Sequence, residues 1–104
     1  MWDSYKKGFK SYLLLEKSLS DNSVEAYLRD IDKLTSYLSG ITGTYTPAQV
    51  DLPMLQRLLK WISELGMTPA SQARMISGIK GFYKYCLLEQ VCSVDPTALL
   101  ESQN

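Results

Sequence analysis

The stretch Ser71-Gln72-Ala73-Arg74-Met75-Ile76-Ser77-Gly78-Ile79-Lys80-Gly81-Phe82-Tyr83-Lys84-Tyr85 decides the fold. At about 100° per residue it divides into two faces. Met75, Ile76, Ile79, Phe82 and Tyr83 share one, which Cys86 and Leu87 continue. Arg74, Ser77, Lys80, Gly81 and Lys84 share the other, which holds three cations, one hydroxyl and no acid. Thr68 ahead of the stretch is an N-cap residue, and Pro69 suits a first helical turn. The pattern predicts a long helix from there to about Glu89, greasy on one side and basic on the other.

Working outward, three more helices are predicted. Asp51 caps one over about Leu52 to Leu65, with Pro53 in its first turn and Gly66 as its stop. Before it, Ser39-Gly40 and Gly43-Thr44-Tyr45-Thr46-Pro47 form the largest break, rich in turn formers. Ser20-Asp21-Asn22-Ser23 is a cluster of N-cap residues that opens a helix to about Leu38. That helix places Val24, Tyr27, Leu28, Ile31, Leu34 and Leu38 on one side, and Glu25, Ala26, Arg29, Asp32, Lys33 and Ser36 on the other. The first helix covers roughly Ser4 to Lys17, with Tyr5, Phe9, Tyr12 and Leu13 facing inward and Leu15 a further candidate. After the fourth helix, Asp95-Pro96 starts at most one short turn. Alternating apolar and polar runs are absent, so the expected fold class is all-α: a compact four-helix bundle with a short C-terminal turn, one domain over residues 1–104.

Composition bounds the chemistry. The chain has 104 residues, 11 Lys+Arg against 11 Asp+Glu, two Cys and no His. Without His there is no Ser-His-Asp or Cys-His unit, and two Cys cannot build a structural zinc site. The G-x-x-x-x-G-K-[ST] and G-x-G-x-x-G phosphate loops are missing. No catalytic residue, metal ligand or cofactor is assigned. No apolar run of about 18 residues exists, and the opening lacks a signal-peptide core. The expectation is a binding module in the cytoplasm with no membrane contact.

Charge is balanced in total but not in place. The first 20 residues carry Lys6, Lys7, Lys10 and Lys17 against Asp3 and Glu16. The second helix is acidic, with Asp21, Glu25, Asp30 and Asp32 against Arg29 and Lys33. The fourth helix supplies the basic stripe that nucleic-acid binding requires. An exposed helix face is polar in any case, so charge alone favours solvated surface.

Three segments add a family resemblance. Asn22-Ser23-Val24-Glu25-Ala26-Tyr27-Leu28-Arg29-Asp30-Ile31 resembles a helix opening in the N-terminal domain of tyrosine recombinases. The stretch from Ser71 to Tyr85 resembles that domain's last long helix, with its R-x-x-S-x-(I/V/L)-(K/R)-x-F-(Y/F) pattern. Asp95-Pro96-Thr97-Ala98-Leu99-Leu100 resembles the exit into the linker. Order and spacing match over nearly the whole chain, and the nearest kinds are bacterial Xer-type recombinases and phage-type integrases. The resemblance implies a SAM-like core-binding domain, one half of a clamp around duplex DNA. It implies that the catalytic domain lies C-terminal to these residues, so that this piece does not cut DNA by itself. None of the seven Tyr matches the nucleophile motif. The implied partners are double-stranded DNA and, in the full-length protein, other recombinase protomers in a synaptic tetramer.

In that family the second and fourth helices meet DNA. The resemblance therefore implies DNA-binding roles for Asn22, Ser23, Arg29, Lys33, Ser71, Arg74, Ser77, Lys80 and Lys84. The helix N-termini are expected to offer free N–H groups to phosphates. Substituting Arg74 or Lys80 is expected to leave the fold intact, since both lie opposite the apolar face. Leu28 and Gly81 stand where some relatives carry cations, which implies weak, salt-sensitive binding. The bland alternatives pair Arg29 and Lys33 with Asp30 or Asp32 at the surface, make Cys86 an inert packing residue and leave Cys92 exposed in a loop. The runner-up function is a small SAM or adaptor-like protein-interaction domain using the same face.

Overall fold

The computed structural model describes residues 2–42 and 46–100. Four helices follow in order: α1 (Trp2–Leu15), α2 (Asp21–Thr42), α3 (Leu52–Glu64) and α4 (Pro69–Leu88). A single 3₁₀ turn, Pro47–Gln49, precedes α3. Among the described residues there is no strand, and the all-α, SAM-like bundle expected from periodicity is what forms. The turn after α4 is also present, closed by the Ala98 N–H on the Asp95 carbonyl at 3.4 Å and the Leu100 N–H on the Thr97 carbonyl at 3.0 Å.

Local signals set the helix ends. The Asp51 carboxylate accepts from the Met54 N–H at 3.0 Å, and the Thr68 hydroxyl accepts from the Ser71 N–H at 3.2 Å. Both caps satisfy donors that the first turn leaves unpaired. α3 stops where Gly66 adopts φ +91°, a left-handed geometry that lets the Met67 N–H return to the Ile62 carbonyl at 3.1 Å. α1 starts earlier than expected, at Trp2, and ends earlier, at Leu15, because the chain turns at Ser18 with φ 53°. α2 runs past Leu38 to Thr42. Of the predicted break, Gly43, Thr44 and Tyr45 lie outside the described residues.

The core is where the wheels put it. Val24, Ile31, Leu34 and Leu38 of α2 are buried, as are Met75, Ile76, Ile79, Phe82, Tyr83 and Cys86 of α4. Phe9 and Leu13 bring α1 onto them. Aromatic contacts join α1 to α4: Trp2 stacks on Phe82 with ring centroids 5.7 Å apart, and Phe9 meets Phe82 edge-on at 5.4 Å. Tyr37 and Trp61, 5.4 Å apart, link α2 to α3.

Three burial expectations are corrected. Leu15 is 81% exposed, since it lies about 200° round the helix from Leu13. Leu87 is partly exposed at the edge of the apolar face. Cys92 is buried rather than exposed, because the chain folds back along α4 after Gln90 and brings Cys92 beside Cys86. That reversal uses a left-handed Gln90, φ 59°, with the Val91 N–H on the Cys86 carbonyl at 2.8 Å.

α2 and α4 form the principal helix pair, and one small residue sets their approach. A Cβ at Gly78 would stand 2.9 Å from Tyr27 Cδ1 and 3.4 Å from Asp30 Oδ2. Its absence lets the two backbones close on each other.

Candidate nucleic-acid interface

Ser77, Lys80 and Lys84 are exposed on the side of α4 opposite its apolar core residues, and Arg74 is exposed at the edge of that side, one turn from buried Gly78. Ser71, at the start of the helix, is half-buried. On α2, Asn22, Arg29 and Lys33 are exposed and follow one another at spacings of seven and four, so they form one stripe. Ser23 is exposed one position round the helix. Asp30 lies between that stripe and α4. Arg74 stands at the α2–α4 seam, whereas Lys80 lies about 200° round α4 from Gly78 and faces away from it.

Asp30 itself is 0% exposed. Arg74 spans the seam to it as a fork, with Nε donating to Oδ2 at 3.3 Å and Nη2 to Oδ1 at 3.0 Å. This bidentate, charge-assisted geometry is the strong form of the interaction. The bond and the charge of Asp30 raise the Arg74 pKa above its ordinary value.

The pair overturns two expectations. Arg29 and Lys33 are not partnered by Asp30 or Asp32, since Asp30 holds Arg74 and Asp32 holds Lys6 of α1. The acidic load of α2 is thus partly neutralised from neighbouring helices. Nor is Arg74 a free surface cation whose loss leaves the fold untouched, because its removal strands a buried carboxylate. Among the described residues, Arg29, Lys33, Lys80 and Lys84 have no ion-pair partner.

The helix N-termini offer less than expected. The Ser23 N–H already donates to Ser20 Oγ at 3.3 Å, and the Ser71 N–H to Thr68 Oγ1 at 3.2 Å. Pro69 has no N–H to give. The hydroxyls of Ser23 and Ser71 also meet their capping partners, each at 3.1 Å.

One residue unassigned from sequence joins the group. Lys17, in the turn just after α1, shares a groove of about 310 Å³ with Ser77 and Lys84, over a floor that includes Phe9, Leu13 and Tyr27. Its ammonium lies 5.8 Å from the Tyr12 ring centroid. The basic first segment was a signal for it, but only the packing of α1 beside α4 singles out Lys17 from Lys6, Lys7 and Lys10. Among the described residues, no group of three or more His, Cys, Asp or Glu side chains is placed to hold a metal ion. No helix among them is long and apolar enough to cross a membrane.

Residues 7–90 match the family described as phage integrase, N-terminal SAM-like domain. The chain belongs to this family. Within the phage integrase SAM-like domains, its similarity to named recombinases is extensive. It is 38% identical over 93 residues to the tyrosine recombinase XerD of Pseudomonas aeruginosa, covering 86% of this chain and 29% of that protein. It is 32% identical over 94 residues to the tyrosine recombinase XerD of Staphylococcus epidermidis, covering 90% and 32%. The XerD of Vibrio cholerae is 33% identical over 94 residues, with 90% and 30% covered. The chain thus spans about a third of the length of these relatives. The family's SAM-like fold agrees with the four-helix bundle described above.

Proposed function

We propose that residues 1–104 are the core-binding domain of a bacterial site-specific tyrosine recombinase, holding duplex DNA through α2 and α4. The observation that carries this reading is the exposed, acid-free face of α4 in a chain similar to XerD over most of its length. An α-helix with its side chains is about 10–12 Å across, and the major groove of B-DNA is about 12 Å wide. Ser77 and Gly81, small residues between Arg74, Lys80 and Lys84, let the α4 axis come near the duplex. Asn22, Ser23, Arg29 and Lys33 engage the backbone beside it, and Ser71 the entry of α4. Strand breakage and rejoining belong to a catalytic domain elsewhere in the full-length protein. That protein works in the cytoplasm, with further protomers, in a synaptic tetramer on DNA.

The alternative, a small SAM or adaptor-like protein-interaction domain, gives that same face to a protein partner. Leu15, Leu65, Leu88, Val94 and Leu99 are exposed and apolar, and none belongs to the basic face. A mobility shift with duplex DNA at low salt separates the readings. The recombinase reading expects a shift that weakens as salt rises and as Lys80→Ala is introduced. Absence of a shift with both the chain and its full-length parent would sink it.

A further inference from the structure

The Asp30–Arg74 pair is lopsided. The acid side chain is fully buried, while the arginine side chain is 42% exposed. Both carboxylate oxygens are taken by one guanidinium. The pair forms because α2 and α4 close up at Gly78, one turn along α4 from Arg74. Stability alone does not call for this arrangement, since apolar residues of similar volume hold such a seam as well or better. A surface cation serving only as charge needs no buried carboxylate beneath it.

We infer that Asp30 is a positioning residue for DNA recognition: it fixes the Arg74 guanidinium at the α2–α4 seam and cancels its charge, so that Arg74 acts through directed hydrogen bonds. The inference rests on the DNA-binding reading above. Arginine has five N–H donors in a rigid fork. Two are committed to Asp30, and the remaining three are left for a ligand on the exposed side. Much of the side-chain freedom that an arginine loses on docking is already lost. A neutral pair also adds no counterion release, unlike Lys80 and Lys84. The face thereby divides into lysines that grip any duplex and one arginine that discriminates between duplexes.

The test titrates the chain with a duplex that the wild type enriches from a randomised pool, and with a scrambled duplex of the same composition, across a series of salt concentrations. Asp30→Asn keeps the shape and an acceptor for Arg74 but removes the charge. The expected result is tighter binding to the scrambled duplex, a salt dependence steeper by about one unit of slope and a loss of discrimination of ~10-fold. Arg74→Lys keeps the charge and the ion pair but not the fork. It is expected to lose discrimination to a similar extent with the slope unchanged, and it reads the proposal even if Asp30→Asn does not fold. Wild-type slope and discrimination in folded Asp30→Asn, or full discrimination in Arg74→Lys, would overturn the proposal. So would a wild type that enriches no sequence. In these cases the DNA-binding reading survives if Lys80→Ala still weakens binding. A wild type that binds no duplex overturns both.

Discussion

The Tyr83 hydroxyl donates to the Pro47 carbonyl at 2.9 Å, and both residues are buried. This bond ties the turn before α3 to the middle of α4, across 36 positions of sequence. Tyr83→Phe leaves the ring in place and the carbonyl without that donor. The expected cost is about 1–2 kcal/mol. Urea denaturation checks it, and an unchanged midpoint would show that the Pro47 carbonyl finds water instead.

Phe82 is fully buried and meets the rings of Trp2, Phe9 and Tyr83. Phe82→Ala removes the ring that Trp2 and Phe9 of α1 pack against on α4, and should cost ~3–5 kcal/mol. Domains of this size have few kcal/mol in reserve, so the variant should be partly unfolded at growth temperature. Thermal melting followed by circular dichroism gives the answer. A loss below ~1 kcal/mol would place the α1–α4 contact outside the folding core.

Arg74→Ala should destabilise by ~2–4 kcal/mol, somewhat below the loss for breaking a wholly buried pair, because the arginine side is open to water. Adding Asp30→Asn to Arg74→Ala should recover much of that, since the stranded charge is gone. A double-mutant cycle in urea measures the coupling. Additive losses would mean that the buried carboxylate finds other partners.

Among the described residues, four cations of the proposed α2 and α4 set have no ion-pair partner: Arg29, Lys33, Lys80 and Lys84. If each meets one phosphate, the salt slope should approach about −3.6, so that raising salt from about 50 to 200 mM weakens binding about 150-fold. Lys80→Ala should flatten the slope by about one unit without lowering the melting temperature. Titrations by fluorescence anisotropy give the slope. A Lys80→Ala slope equal to wild type would return this lysine to the solvated surface.

Cys86 is buried beside Cys92, and burial of the thiolate pushes its pKa from 9.0 up to about 12. The unfolded chain therefore releases this proton first. Between about pH 9 and 12 the folded state binds more protons than the unfolded one, so stability falls as pH rises. Burial raises the Tyr83 pKa in the same direction. Melting temperature should be flat from pH 7 to about 9 and drop above it. Cys86→Ser with Cys92→Ser should soften that decline. At pH 8 the native thiol should also resist alkylation until the protein is unfolded.

Much of this was legible because local periodicity governs it. Val24, Ile31, Leu34 and Leu38 keep one face of α2, and Met75 to Cys86 one face of α4, whatever their partners. Asp51, Thr68 and Gly66 act within a turn of themselves, so their roles also show in the linear order. The Asp30–Arg74 bond does not, since its members lie 44 positions apart and meet only after α2 docks on α4. Asp30 falls three after Tyr27 and four before Leu34, at the edge of the apolar side, whereas Asp32 falls on the polar side, but that spacing does not name its partner. Cys92 depends on a reversal at Gln90, a residue type with no strong left-handed preference. Lys17 becomes part of the candidate site only through the crossing of α1 and α4.

Gly78 sets a gauge. With no methyl group between α4 and the Tyr27 and Asp30 side chains, the two helices stand at a separation that a larger residue would not allow. An alanine there would set its methyl 2.9 Å from Tyr27 Cδ1, so that Tyr27 or the helix pair must shift, without altering any charge. The reach of Arg74 across to Asp30 is thus set from beneath, by an atom that is missing.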